Sequence, residues 1–197
     1  MTLDEAPQLI AQEGIAGLTL ERSAREAGVA KSLSYNYFDG VTELLKELYD
    51  RELKRLRELQ FRAAEEAETF EDLVRGITHE YLKYIEQRGL VIERLQAEPS
   101  VSQGRDPTYY DRRPSVEYMA GLVARIFDMP MDFAIAATEV SYGLPASAGE
   151  FLLRGEMDRD ALEDLTVSMI VGAVLKARND YLAKKRTLRP EKIDRES

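Results

Sequence analysis

Residues 19–38, TLERSAREAGVAKSLSYNYF, read as two short helices joined by a tight turn. Leu20, Ala24 and Ala27 recur at three- and four-residue spacing and so share one helical face, and the Thr19 hydroxyl accepts the free N–H groups of the opening turn. Gly28 supplies the positive φ that stops this helix, Val29 packs into the corner, and a second helix starts at Ala30 and reaches Phe38. The unit is a helix-turn-helix.

The second helix crowds hydrogen-bonding side chains onto barely two turns. Lys31 and Ser32 stand at its N-terminal end, where a recognition helix meets base edges in a DNA major groove. Tyr35, Asn36 and Tyr37 have the chemistry to bond phosphate oxygens, and the Tyr35 ring suits a thymine methyl. With Thr19, these five residues form the expected DNA-binding set; Phe38 reads better as a core aromatic of the small helical head.

Working outward, Glu13-Gly14-Ile15-Ala16-Gly17-Leu18-Thr19, then Ala24-Arg25-Glu26-Ala27-Gly28-Val29-Ala30-Lys31-Ser32, then Tyr35-Asn36-Tyr37-Phe38 resemble the N-terminal domain of the tetracycline-repressor (TetR) family of bacterial transcription regulators. The likeness spans roughly residues 2 to 50. It implies an all-helical dimer that binds a palindromic operator and leaves it when a small molecule occupies a larger C-terminal domain. The sequence departs from the family pattern in places. Ser23 and Ser34 stand where an Ile or Leu usually faces the head core, Val41 stands where a Lys commonly grips a phosphate, and the chain begins at a position resembling the middle of the family's first helix.

Composition bounds the remaining possibilities. A chain of 197 residues with 44% hydrophobic content buries a sizeable core. No apolar run is long enough to cross a bilayer and no charged leader precedes an apolar stretch, so the expected location is the cytoplasm, with no membrane partner. Without cysteine there are no disulfides or thiolate sites, and the single histidine, His79, leaves little for His-dependent catalysis or a transition-metal cage. No catalytic residue, metal or cofactor is expected, and the chain does not read as an enzyme. The formal charge of −9 is unusual for a DNA-binding protein, since phosphate neutralisation supplies most non-specific affinity, although a local patch can suffice.

In chain order, residues 3–13 carry a first helix with Leu3, Ala6 and Ile10 inward, ended by Gly14. Thr42 is expected to cap a long helix reaching about Ala67 through Leu44, Leu45, Leu48, Tyr49, Leu53, Leu56 and Leu59. Thr69 caps the next, Glu71 to Arg88, which Gly89 is expected to end before a short helix over 90–97. Residues 99–111 read as a loop and 113–127 as a helix broken by Met129-Pro130. A small-residue helix over 131–153 is expected to bend at Gly143 and Pro145, and Asp158 caps a last helix to about Lys184, with a seam of Leu162, Leu165, Met169, Ala173 and Tyr181. No strand pattern appears. The expected architecture is all-α with about nine helices: a three-helix head over residues 1–50 with its motif at 19–38, a ligand-binding and dimerisation body over 51–186, and a charged tail over 187–197.

Two features of the body carry functional expectations. Tyr81, Tyr84, Tyr118, Met119, Phe127, Tyr142 and Met169 recur at helical spacing and read as an apolar pocket edged by phenols, with His79, Arg94 and Glu139 as polar contacts. The small residues on the last two helices, among them Ser141, Ser168, Gly172 and Ala173, permit close helix approach and are expected to form a four-helix homodimer interface. The sequence therefore reads as a regulator, in keeping with a repressor that a largely apolar small molecule releases from a double-stranded, palindromic operator. The alternative is a helical ligand-binding or interaction module whose DNA binding is weakened or lost.

Overall fold

The structure, a computed structural model, describes Pro7, Ile10, Gly14, Ile15 and residues 41–102 and 107–187. Among them are seven helices and no strand: α1 (Val41–Glu66), α2 (Phe70–Ala97), α3 (Pro99–Ser102), α4 (Pro107–Phe127), α5 (Met131–Ser141), α6 (Gly143–Leu153) and α7 (Arg159–Thr187). The fold is all-α. The expected helix-turn-helix motif at 19–38 lies outside the described residues.

Helix α1 buries Leu44, Leu45, Leu48, Tyr49 and Leu56 along the expected stripe, with Leu53 and Leu59 half-buried. It runs unbroken through residue 50, so the expected head–body boundary falls within a continuous helix. Thr42 lies exposed inside its first turn rather than at the cap. Leu44 and Leu48 meet Leu95 and Ile92 of α2 and Ile10 of the N-terminal segment. Each fully buried leucine contributes about 1.5–3 kcal/mol relative to exposure. Ile10 is helical; Gly14, with φ of +78°, donates its N–H to the Ile10 carbonyl at 3.0 Å, which ends that helix as the glycine predicts.

Helix α2 opens with a complete capping box. The Asp72 N–H donates to Thr69 Oγ1 at 3.1 Å and the Thr69 N–H donates to Asp72 Oδ2 at 3.1 Å. The helix does not end at Gly89 but continues to Ala97. A Cβ on Gly89 would lie 3.0 Å from Ile85 Cγ2 and 3.1 Å from Leu153 Cδ2, so this glycine serves the close approach of the end of α6. Gly89 is a packing residue.

The stretch expected as a loop holds the short α3 and the first turns of α4, which starts at Pro107 and carries Pro114 inside. Proline suits a helix's first position because its missing N–H would be unpaired there anyway. Asp128, at φ of +50°, turns the chain out of α4 ahead of Pro130. The 131–153 segment is two helices meeting at Tyr142, because Pro145 has no N–H for the Ser141 carbonyl. Asp158 opens α7, accepting the Ala161 N–H on Oδ1 at 2.9 Å.

The seam of α7 differs from expectation. Leu162, Val167, Ile170 and Val174 face inward, whereas Leu165, Met169 and Ala173 are exposed. Apolar residues occupy two sides of this helix, and sequence alone does not say which side meets its own body. The inward side packs with Val74, Val123, Phe127 and Ala134 into a second core, in which the Phe70 and Phe127 rings meet edge-on at 4.8 Å.

Candidate functional site

A cavity of about 250 Å³ lies inside the body, walled by α1, α2, α4, α5, α6 and α7. Helix α1 contributes Leu53, Leu56, Arg57 and Gln60, one stripe at i, i+3, i+4 and i+7. Helix α2 adds Phe70, Leu73, Val74, Ile77, Thr78 and Tyr81, and α4 adds Ser115, Met119 and Val123. Ala137, Thr138 and Ser141 of α5, the joint residue Tyr142, Pro145 and Ala146 of α6, and Ile170 and Val174 of α7 complete the wall. The lining is mainly apolar, with hydroxyls from several helices and a single charged side chain, Arg57. This is the make-up of a site for an apolar small molecule with a few oriented polar groups.

Of the ten residues expected at a pocket, Tyr81, Met119 and Tyr142 line this cavity. The others stand elsewhere, each for a local reason. Tyr84 is buried between α2 and α1, where its hydroxyl donates to Glu52 Oε2 and lies 3.1 Å from the Glu52 backbone carbonyl. Burial, and after it the hydrogen bond with Glu52, holds the Tyr84 phenol above the usual tyrosine range. Arg94 donates to the Ile10 carbonyl, the same oxygen that receives the Gly14 N–H. Tyr118 is partly exposed with its ring edge-on to Phe61, Phe127 fills the second core, and Met169 is half-exposed on the outer side of α7. Glu139 lies on α5 outside the cavity lining.

His79 joins a polar cluster between α2 and α7. Its Nδ1 lies 2.8 Å from Glu163 Oε2, and Arg75 reaches Asp164 at 2.7 Å and Glu163 at 3.6 Å. The hydrogen bond with Asp164 is the main cause that raises the Arg75 guanidinium further above its already high range. These pairs tie two helices together. No set of three or more His, Asp or Glu side chains suited to a metal ion occurs among the described residues.

Sequence reasoning missed Arg57, Gln60, Thr78, Ser115 and Thr138. The signal was present for the first two, since Arg57 and Gln60 continue the Leu53–Leu56 stripe by one helical turn. Thr138 is buried with its Oγ1 unpartnered among the described residues.

Of the residues expected at a dimer interface, Ser141 instead lines the cavity and donates to the Ala137 carbonyl at 2.7 Å. Ser168, Gly172 and Ala173 are exposed, beside Leu165 and Met169, on the outer side of α7. Ala136, Val140, Gly143 and Ser147 make a second exposed stripe of small or apolar residues on α5 and α6. The expected DNA-binding residues Thr19, Lys31, Ser32, Tyr35, Asn36 and Tyr37 lie outside the described residues. No described helix is long and apolar enough to cross a membrane.

Comparison with known proteins places these features in a wider set. Residues 3–48 match the family described as bacterial regulatory proteins, tetR family. The chain has the fold of the fatty acid degradation regulator from Bacillus halodurans, with a TM-score of 0.67 at 15% identity over 86% of this chain and 92% of that one. It also has the fold of a TetR-family transcriptional regulator from Streptomyces coelicolor, with a TM-score of 0.64 at 17% identity over 90% and 94%. A TetR-like transcriptional regulator from Rhodococcus sp. RHA1 is similar with a TM-score of 0.61 at 18% identity over 88% and 93%. No curated protein matches the sequence.

Proposed function

We propose, from the premise that this chain belongs to the TetR family of bacterial transcription regulators, that it is a ligand-responsive repressor whose body cavity senses a small molecule. The observation that carries the reading is that α1 walls the cavity with Leu53, Leu56, Arg57 and Gln60 and begins at Val41, within the 3–48 segment that matches the family's DNA-binding domain. A ligand that prefers one tilt of α1 acts directly on the element that carries the head. Such coupling requires differential affinity for two states, typically about 1–3 kcal/mol.

In this reading Lys31 and Ser32 contact base edges, Thr19, Tyr35, Asn36 and Tyr37 hold the backbone, and the exposed sides of α5, α6 and α7 pair two copies about a twofold axis that matches a palindromic operator. A broad apolar face of this kind marks an interaction site in a soluble helical protein. The test is selection of duplexes from a random pool by the full-length protein at two salt concentrations. Enrichment of an inverted repeat is the expected outcome, and no enrichment at either salt overturns the reading.

A second reading has one observation in its favour. Over residues 1–50, Arg22, Arg25, Lys31 and Lys46 face nine carboxylates, which is a poor balance for a phosphate-binding surface. In that case the protein is a helical ligand-binding module with weakened DNA affinity, and ligand binding survives where duplex selection fails.

A further inference from the structure

Thr138 of α5 is buried, and its Oγ1 is shielded from water with no hydrogen-bond partner among the described residues. The chain satisfies comparable hydroxyls within its own helices: Ser141 donates to the Ala137 carbonyl and Thr166 to the Leu162 carbonyl, each at 2.7 Å. Thr138 makes no such bond one turn back, so its polar group is buried at a cost to stability. It stands between Ala137 and Ser141 in the cavity wall. A helical threonine has two χ1 positions open to it, so a change of rotamer can turn the hydroxyl to a ligand.

The rest of the wall narrows the ligand's character. Leu53, Ile77, Val123 and Ile170 present apolar surface. Arg57, the single charged side chain there, already has an interaction within the chain, whereas Thr138 lacks one. Stripping water from a ligand charge costs far more than stripping it from a hydroxyl, and two hydroxyls can each donate or accept and so satisfy one another. A cavity of about 150 Å³ takes a benzene ring, so one of about 250 Å³ suits a body of roughly ten non-hydrogen atoms.

We propose that the cavity takes a neutral, mainly apolar molecule bearing a hydroxyl, a compact alcohol or phenol, with that hydroxyl on Thr138. The proposal rests on the reading of the cavity as the sensing site and adds the ligand's polar group to it. Thr138 is then a binding group held at a cost to the unliganded fold, and removing its hydroxyl has opposite effects on binding and on stability.

Isothermal titration of the full-length protein with 2-naphthol, naphthalene and 2-naphthoate at neutral pH tests it. These probes share one ring system and differ in its substituent. 2-Naphthol is expected to bind about threefold to tenfold more tightly than naphthalene, with 2-naphthoate weakest. Thr138→Val is expected to bring 2-naphthol to the level of naphthalene or below, to leave naphthalene unchanged, and to raise the Tm of the unliganded protein, because valine fills the same space without a hydroxyl. Thr138→Ser, which keeps the hydroxyl, is expected to retain part of the preference. Ala137→Phe, which fills the cavity, is expected to remove binding of both neutral probes while helicity is unchanged. Equal affinity for 2-naphthol and naphthalene in the unaltered protein, a preference that survives Thr138→Val, or a lower Tm for Thr138→Val overturns the Thr138 assignment and leaves the cavity reading standing. Binding of 2-naphthoate as tight as that of 2-naphthol overturns the neutrality of the ligand and likewise leaves the cavity reading standing. Binding of both neutral probes that survives Ala137→Phe, or no binding of any probe, overturns the Thr138 assignment together with the cavity reading.

Discussion

Tyr84 of α2 donates its phenolic hydrogen to the buried carboxyl group of Glu52 on α1, with Arg51 3.9 Å from the other carboxyl oxygen. Tyr84 sits in the core that also holds Ile10, Leu44, Leu48 and Leu95, and Glu52 is buried beside it, so the pair fastens α1 to α2 there. The pairing satisfies a group that would be costly to bury alone.

Tyr84→Phe is therefore expected to destabilise the protein by about 1–3 kcal/mol, because it removes the donor and leaves the Glu52 carboxyl group buried. The phenol's folded-state pKa lies above its unfolded value of about 10. Its contribution is thus complete below about pH 10 and is lost as pH rises through the folded-state value. Urea melts at about pH 9 and pH 11 should show a steeper alkaline loss for the unaltered protein than for Tyr84→Phe. Parallel losses would show that the pair does not govern alkaline stability.

Arg94→Ala is expected to loosen the N-terminal segment while α2 itself stays folded. The guanidinium caps a carbonyl at a helix C-terminus, where a cation contributes about 0.3–1 kcal/mol. Amide exchange at Gly14 should quicken relative to amides in the middle of α2, and uniform quickening would point instead to global destabilisation.

Gly172→Glu is expected to separate the dimer without harming the single chain. A Cβ at this position meets nothing within 4 Å, and replacing a mid-helix glycine with a good helix former adds up to about 1 kcal/mol of helix stability. Sedimentation should show a dimer for the unaltered chain at micromolar concentration and a monomer for the variant, with undiminished helicity. An unaltered chain that sediments as a monomer removes the interface assignment.

Lys31→Ala is expected to reduce discrimination between operator and scrambled duplex, whereas Tyr37→Phe weakens both about equally and Val41→Lys raises affinity without changing the preferred site. Titrations at two salt concentrations separate these outcomes. Equal losses on both duplexes for Lys31→Ala would reduce that residue to a phosphate contact.

The features legible in the sequence were those whose cause is local. The Thr69 cap, the Asp158 cap, the Gly14 stop and the inward stripe of α1 each follow from residues within a few positions of one another, and the structure adds Asp72 as the reciprocal partner of Thr69. Gly89 was misread because its reason, Leu153, is distant in sequence. The α7 seam was misread because two apolar sides compete, one for the chain's own core and one exposed. Aromatic spacing found Tyr81 and Tyr142 in the cavity wall, but it equally picked out Tyr84 and Phe127, whose partners Glu52 and Phe70 draw them into the core. Arg57 escaped notice because a charged residue on a long helix reads as solvated until its neighbours are known.

The continuity of α2 through Gly89 makes it a stiff lever. From Thr78 in the cavity wall to Arg94 at the Ile10 carbonyl the helix spans 16 residues, about 24 Å at 1.5 Å per residue, with no break to absorb rotation. A tilt of about 5° around the cavity end displaces the Arg94 end by roughly 2 Å, which exceeds the tolerance of a hydrogen bond. Had the helix stopped at Gly89, the joint would have dissipated that motion. As built, any tilt of α2 at the cavity end would be carried undamped to the contact that Arg94 makes with the N-terminal segment.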